Sequence, residues 1–339
     1  MEARVIGLAG CGKGSLLRAL SGADHEAEAA SVHVRDERVD ALAEVFHPKK
    51  KVYAEFNVRR VDLPPGKGTG RRSELERYVR SLGGSELFLH ILRAFENYSA
   101  GEDPDPVRDL LNLDAEMVLG DLMLIESVLE RSRKQPIDAP TAAALGKCKE
   151  ALETETPLRL VEFTPEEDKL LRGFGLTTEV PQLLLVNTEE EGKFDQEGLE
   201  EVAGERRVIG FPFSVAAELT ELPEEDQLAF AEELGMEGTA QQVVAKATFE
   251  ALGLISFLTA GEDECRAWAI RKGTLAPQAA GTIHTDLERG FIRAQVVSFD
   301  DFVAHGKSMK QCREAGVVRM EGKPYEVRDG DIIEVKFSV

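Results

Sequence analysis

The stretch that decides the fold is "GLAGCGKGS", Gly7 to Ser15. It matches the phosphate-binding pattern G-x-x-x-x-G-K-[ST] at Gly7, Gly12 and Lys13, but Gly14 stands where the hydroxyl belongs and Ser15 follows one place late. Upstream, "RVIGL" (Arg4 to Leu8) is a short apolar run. Downstream, "SLLRALSG" spaces Leu16, Leu17 and Leu20 as a helix does, with Gly22 as a stop. The loop therefore joins a strand to a helix, the context in which this motif holds phosphate. Main-chain N–H groups of Gly10, Cys11, Gly12, Lys13, Gly14 and Ser15 would face a phosphate from the helix start, where the dipole favours an anion. Lys13 would reach the β- and γ-phosphates. In this class a Ser or Thr hydroxyl ligates Mg2+ together with an Asp from a nearby strand. Gly14 has no hydroxyl, and Ser15 points about 100° further round the helix. Binding of ATP or GTP is expected, whereas Mg2+ coordination, through Ser15 and Asp62, is expected to be weakened. A Gly-rich turn without a ligand is the plain alternative.

Asp62 closes the alternating run "EFNVRRVDL" and is the natural metal-side acid. The following "LPPGKGTGRR" (Leu63 to Arg72) is Gly-rich and basic, as a mobile switch segment would be. "SVHVR" also alternates as a strand does. "ELFLHILRAF" (Glu86 to Phe95) and "PQLLLVN" (Pro181 to Asn187) are continuous apolar runs, suited to strands of a parallel sheet covered on both faces. Strands alternating with helices imply a doubly wound α/β domain with its ligand at the carboxyl ends of the strands. Asn187 ends one such strand, and Glu190 follows at N-x-x-E spacing; together they can bind a purine edge. An ordinary polar strand end before the acidic run "TEEE" is the alternative.

Leu111, Val118, Leu122, Ile125 and Leu129 share one helical face, "RSRKQPIDAP" interrupts the pattern, and "TAAALGKCKEALE" restarts it. Two antiparallel helices inserted in the α/β domain are expected, forming a short coiled coil. "LPEEDQLAFAEELGM" (Leu222 to Met236) and "TAQQVVAKATFEALGL" (Thr239 to Leu254) predict two more helices. After Leu254 come short β-runs: "AWAIRKG", "AQVVSF" and "IIEVKFSV". His284, Thr285 and Asp286 in "TIHTD" are expected on a strand, where neighbours point to opposite faces and form no triad.

The net charge, 41 − 62 = −21, argues against whole-surface binding to nucleic acid. From Lys49 to Arg80, however, 10 Lys and Arg stand against 4 acids, a basic strip that could meet RNA. No run approaches a membrane span, and "MEARVIGLAG" lacks the marks of a secretory leader, so a cytoplasmic protein is expected. Cys11, Cys148, Cys265 and Cys312 are widely spaced and fit free thiols. Cys11 lies in the loop at a helix start, where a thiol pKa can fall; oxidation there could block phosphate entry, and a loop cysteine with no regulatory role is the plainer and preferred alternative.

With these pieces in order, the chain resembles the YchF family, a branch of the Obg-like P-loop nucleotide-binding proteins. "FLTAGEDECRAWAIRKGTLAPQAAGTIHTDLERGFIRAQVVSFDDF" and "EAGVVRMEGKPYEVRDGDIIEVKFSV" are very similar to that family's C-terminal TGS domain, and "VRDERVDALAEVFHPKK" to its strand after switch I. The resemblance implies three parts: a P-loop NTPase G domain (1–108 and 176–253), an inserted helical coiled-coil domain (109–175) and a β-grasp TGS domain (254–339). It also implies slow ATP hydrolysis and association with ribosomes. N-x-x-E at Asn187 to Glu190 stands where GTPases have NKxD, a change associated in the family with ATP preference.

The departures gather at the nucleotide site. Gly14 replaces the family's Ser, the segment from Ser21 to Ala30 is short for switch I and lacks its Thr, and switch II reads "DLPPG". Pro65 there has no N–H to offer a γ-phosphate. The base-binding loop "FPFSVAAEL" lacks its lysine. Two functions are compatible with this pattern. One is a nucleotide-binding regulatory protein with slow or lost hydrolysis. The other is a scaffold without nucleotide that acts through its TGS domain, with Arg266, Arg271, Lys272, Arg289 and Arg293 as candidate contacts to RNA or protein.

Overall fold

The computed structural model describes residues 2–22, 27–62, 78, 81–97 and 103–338. The "DLPPG" switch after Asp62 and most of the basic strip beyond it lie outside the described residues, as do residues 23–26 of the short switch I. The chain forms two compact units, Met1–Val32 with Asn57–Val244 and His33–Phe56 with Ala245–Val339.

The first unit is α/β. Strands β1 (Glu2–Gly7), β2 (Ala29–Val34), β4 (Ala54–Arg60), β5 (Leu87–Ala94), β6 (Gln182–Thr188) and β7 (Val208–Phe211) make a sheet in the order β2-β4-β1-β5-β6-β7. The pairs β1–β4, β1–β5, β5–β6 and β6–β7 are all parallel. The two continuous apolar runs become β5 and β6, buried nearly end to end. That follows from covering a parallel sheet on both faces. Helix α1 (Lys13–Ser21) follows β1, so the doubly wound expectation holds, with the Gly7–Ser15 loop at a carboxyl end.

Helix α3 (Pro106–Ser132) runs back along an antiparallel neighbour, α4 (Ala139–Glu153), with α2 (Glu37–Phe46) preceding both in the chain. Asp105 and Asp138 cap α3 and α4 by accepting from the N–H groups of Arg108 and Thr141. Val118, Ile125, Leu145, Cys148 and Leu152 pack the pair together. The expected helical stripe needs one correction: Leu111 is half exposed, and the buried positions of the first turns are Leu110, Leu113 and Met117. The cause is that α3 serves two cores. Its first half lies on the sheet beside Ile6 and Phe88, and only its second half meets α4. At the junction Asp121 is fully buried and accepts four hydrogen bonds, from the N–H and hydroxyl of Thr177 (3.0 Å each) and of Thr178 (2.7 Å each).

The first unit also holds α5 (Pro165–Leu171), α6 (Gln196–Ala203), α7 (Phe213–Leu219) and α8 (Glu224–Glu233); α9 (Ala240–Ala251) leads into the second unit. There, β8 (Leu254–Ala260), β9 (Glu264–Arg271), β10 (Phe291–Ser298), β11 (Arg319–Glu321) and β12 (Asp331–Phe337) form a sheet in the order β11-β10-β12-β8-β9-β3, where β3 is Lys50–Val52. Helix α10 (Ala276–Ile283) fills one face, with Ala276 and Ala280 against Phe257, Ile270, Val296 and Ile333.

The pleat turns Leu258, Cys265 and Ala267 to the opposite face, and they too are buried. There α2 packs on β8 and β9, Phe46 stacks on Phe302 with ring centroids 6.2 Å apart, and β3 extends the sheet by pairing parallel with β9. Arg38 of α2 grips Asp329 at 2.6 Å. Residues 33–56, which the sequence reading leaves inside the first domain, thus belong to the second unit. The "TIHTD" expectation is also corrected. His284 is the N-cap of a short helix, α11 (Thr285–Arg289), and its Nδ1 accepts from the Asp286 N–H at 3.2 Å.

Candidate functional site

The carboxyl ends of β4, β1, β5, β6 and β7 lie side by side in the first unit, and every nucleotide or metal candidate on the described residues is on or next to one of them. The loop after β1 turns through Gly10 (φ 75°) and Gly12 (φ 102°), left-handed conformations that suit glycine. A Cβ on Gly12 would collide with the Asn187 amide nitrogen. Helix α1 then starts at Lys13 with no acid in its first turn, which leaves its dipole free to favour an anion.

Lys13 is buried, and its ammonium is folded back on the loop. Nζ donates to Gly7 O (2.9 Å) and Leu8 O (3.2 Å) and lies 3.3 Å from Asp62 Oδ1. Asp62 stands just past β4, half exposed, and its Oδ2 accepts from Arg60 Nε at 2.9 Å. Gly14 and Ser15 are the second and third residues of α1, so the Ser15 side chain leaves the helix about 100° away from the direction a residue-14 hydroxyl would take. Gly14 contributes no side-chain oxygen, and the Asp62 carboxylate beside Lys13 already faces two cations. Among the described residues no three His, Cys, Asp or Glu side chains gather as a metal site.

Asn187 does more for the loop than its position at a strand end suggested. Its Nδ2 donates to Cys11 O at 3.0 Å and its Oδ1 accepts from Phe213 N at 3.0 Å, bridging the loop to the start of α7. These bonds use one of the two N–H groups and one of the two oxygen lone pairs of the amide. Glu190 is exposed in the turn after β6. Its neighbour Glu189 accepts from Glu96 N at 2.7 Å, tying the end of β6 to the end of β5. Asn97, two residues past Phe95, donates from Nδ2 to Gly10 O at 3.1 Å. The sequence reading missed Asn97 and Glu189. Their one signal was position, just beyond the strands whose ends carry the ligand in this fold class.

The reading of Cys11 as a reactive thiol is corrected. Cys11 is buried, and burial pushes its thiol pKa up to about 11 despite nearby Lys13. The helix start does not make it a reactive thiolate, and the redox block of phosphate entry loses its basis. The described part of the basic strip is paired with acids: Lys49 with Asp263 (2.7 Å), Lys50 with Glu264 (2.8 Å), Lys51 with Asp40 (2.6 Å), Arg59 with Glu2 (3.7 Å) and Arg60 with Asp62. Of the TGS candidates, the Arg266 guanidinium stacks on the Trp268 ring at 3.9 Å, and Arg271 donates to Leu252 O at 3.3 Å.

A family model, YchF-GTPase_C, described as a protein of unknown function (DUF933), matches residues 254–338. Over its whole length the chain is 35% identical to the ribosome-binding ATPase YchF of Bacillus subtilis (strain 168), covering 100% of both. It is 33% identical to the protein of the same name from Escherichia coli O157:H7, covering 99% of this chain and 98% of that one. With Obg-like ATPase 1 of Oryza sativa subsp. japonica it shares 35% identity over 91% of this chain and 82% of the relative. The solved structure of the Schizosaccharomyces pombe YchF GTPase superposes with a TM-score of 0.85 at 28% identity, covering 99% of this chain and 97% of that one.

Proposed function

The chain belongs to the YchF family, and on that premise we propose that it is a nucleotide-binding regulatory protein that associates with ribosomes and hydrolyses its nucleotide slowly or not at all. The relatives named ribosome-binding ATPase support the partner and the nucleotide; the fission-yeast structure carries the name GTPase, so either ATP or GTP is taken as ligand. The observation that carries this function is Lys13, a buried cation at the start of a helix, beside a loop of glycines with left-handed backbone. Gly10, Cys11, Gly12, Lys13, Gly14 and Ser15 would cradle the phosphates, and Asn187 and Glu190 would meet the base.

The donor set fits a metal poorly. The candidate ligands are Ser15 and Asp62, the first turned aside and the second paired with Lys13 and Arg60. Catalysis of this class rests on positioning and on metal electrostatics, so turnover is expected to be slow. What the chain's own residues do is bind: loop N–H groups donate to the phosphate oxygens and Lys13 leaves its carbonyls to neutralise the phosphate charge. The working parts would be the G domain (1–108 and 176–253), the helical insertion (109–175) and the TGS domain (254–339), in the cytoplasm. No helix among the described residues is long and apolar enough to cross a membrane. A scaffold that binds no nucleotide is not favoured, because Gly7, Gly12 and Lys13 are all kept in a chain akin to ATPases along its whole length.

Calorimetry with ATP and GTP, each with and without Mg2+, tests this on the wild type and Lys13→Ala. Binding that Mg2+ barely changes and that Lys13→Ala removes is the expected result. Equal affinity of the two proteins would mean that the loop is not the site. Co-sedimentation with ribosomes at rising salt tests the partner.

A further inference from the structure

The structure assigns Asn97 a positioning role in the phosphate loop, and this rests on the nucleotide function proposed above. In a planar trans peptide the C=O of one residue and the N–H of the next point in opposite directions. A donor that turns a loop carbonyl away from the cradle therefore turns the following N–H toward it. Four loop carbonyls have side-chain donors. Gly7 O and Leu8 O take Lys13 Nζ, Gly10 O takes Asn97 Nδ2 at 3.1 Å, and Cys11 O takes Asn187 Nδ2 at 3.0 Å.

These donors differ in one respect. Lys13 must swing from its carbonyls to a bound phosphate, so Gly7 and Leu8 lose their partner as the site fills. Asn97 and Asn187 carry no charge that a phosphate would attract, and they remain. Asn187 orients the Cys11–Gly12 peptide; Asn97 orients the Gly10–Cys11 peptide at the exposed tip. There the Cys11 N–H has only a long bond, 3.4 Å to Leu8 O. Without Asn97 that peptide is free to flip and present a carbonyl, a partial negative charge, to the phosphate.

The fit between the two sides is close: a Cβ on Gly10 would stand 2.8 Å from Asn97 Nδ2. Asn97 is itself placed from below. Glu189 accepts the Glu96 N–H at 2.7 Å and so fixes the segment after β5 to the end of β6. The brace acts on the phosphate cradle and not on the base. Its effect on ATP and GTP is therefore the same.

The test is calorimetry of ATP and GTP on the full chain with Asn97→Ala, Asn97→Asp, Asn97→Gln and Lys13→Ala, with thermal midpoints recorded. Asn97→Ala is expected to weaken both nucleotides by the same factor, about tenfold, the ratio of one neutral hydrogen bond, with the midpoint unchanged. Asn97→Asp, which removes the donor and adds a negative charge beside the phosphates, is expected to bind more weakly still. Asn97→Gln, which keeps a donor, recovers most of the affinity. Asn97→Ala binding like the wild type overturns the proposal while leaving the nucleotide function standing. Unequal losses for ATP and GTP overturn it in favour of a base contact. A lowered midpoint that Asn97→Gln does not restore overturns it in favour of simple packing. A wild type that binds neither nucleotide overturns the function on which the proposal rests.

Discussion

Lys13 Nζ lies 3.3 Å from Asp62 Oδ1, so the cation proposed to meet a phosphate already faces a carboxylate. An incoming nucleotide must displace that carboxylate. Asp62 is half exposed, and pairs of this kind contribute about 0–1 kcal/mol. Asp62→Asn should therefore tighten metal-free nucleotide binding about two- to fivefold. Calorimetry in chelator reads this directly. A loss of affinity confined to Mg2+ solutions would instead make Asp62 a metal ligand.

Gly12 admits no side chain. At φ 102° an alanine is strained, and its Cβ meets the Asn187 amide. Gly12→Ala should lower stability by about 1–3 kcal/mol and weaken nucleotide binding as Asn187 is pushed off Cys11 O. Urea unfolding of the variant beside Asn187→Ala checks it, since both changes break the same bridge and their effects should not add.

Asp121 joins the inserted helices to the returning chain. Burial raises its pKa, although four hydrogen bonds from Thr177 and Thr178 favour the charged form. Asp121→Ala leaves those donors buried without an acceptor, at a cost of about 3 kcal/mol. Amide exchange should show Thr177 and Thr178 opening well before the sheet does.

His90 sits in the middle of β5, fully buried, and neither ring nitrogen finds a partner among the described residues. Burial pulls its pKa down to about 4, against the attraction of nearby Asp114. The unfolded chain binds this proton near pH 6.5 and the folded chain does not until about pH 4. Stability is thus fully present above pH 6.5 and falls as the pH drops through that window, by up to about 1.4 kcal/mol per pH unit. Buried Asp109 and Asp121, with raised pKa values, act in the opposite sense. The contribution of His90 is therefore read as the difference between wild-type and His90→Leu profiles, which should be flat above pH 6.5.

The first unit's frame was legible because its signals are local. A Gly-rich loop between an apolar run and a helical pattern, and two continuous apolar strands, depend only on neighbouring residues. The helix at 37–46 corrects the strand that the resemblance implied there; the Asp36 cap and the spacing of Val39 and Leu42 are its local signals, but nothing local says which sheet it covers. Its partners are some 200 residues away. Leu111 misled because one helix serves two cores and changes its buried face midway. In the site, Lys13 and Asn187 could be named in advance from residue type and position. Asn97 could not, because its bond is to a main-chain carbonyl, and the sequence does not record which carbonyls need a donor.

The placement of residues 33–56 in the second unit has a consequence during synthesis. Val39, Leu42 and Phe46 are made early, and Leu254, the first buried residue on the face they cover, follows Phe56 by 254 − 56 = 198 residues. At about 5–20 residues per second that is a wait of roughly 10–40 s. Through that interval the amphipathic helix has no sheet to lie on, and strand Lys50–Val52 has no ladder to join. The second unit closes only when the last strand has been made, so it is the late-folding half of the molecule. A fragment cut at residue 254 would be released with one apolar face bare and one edge open, and should be recovered as aggregate unless residues 33–56 are supplied.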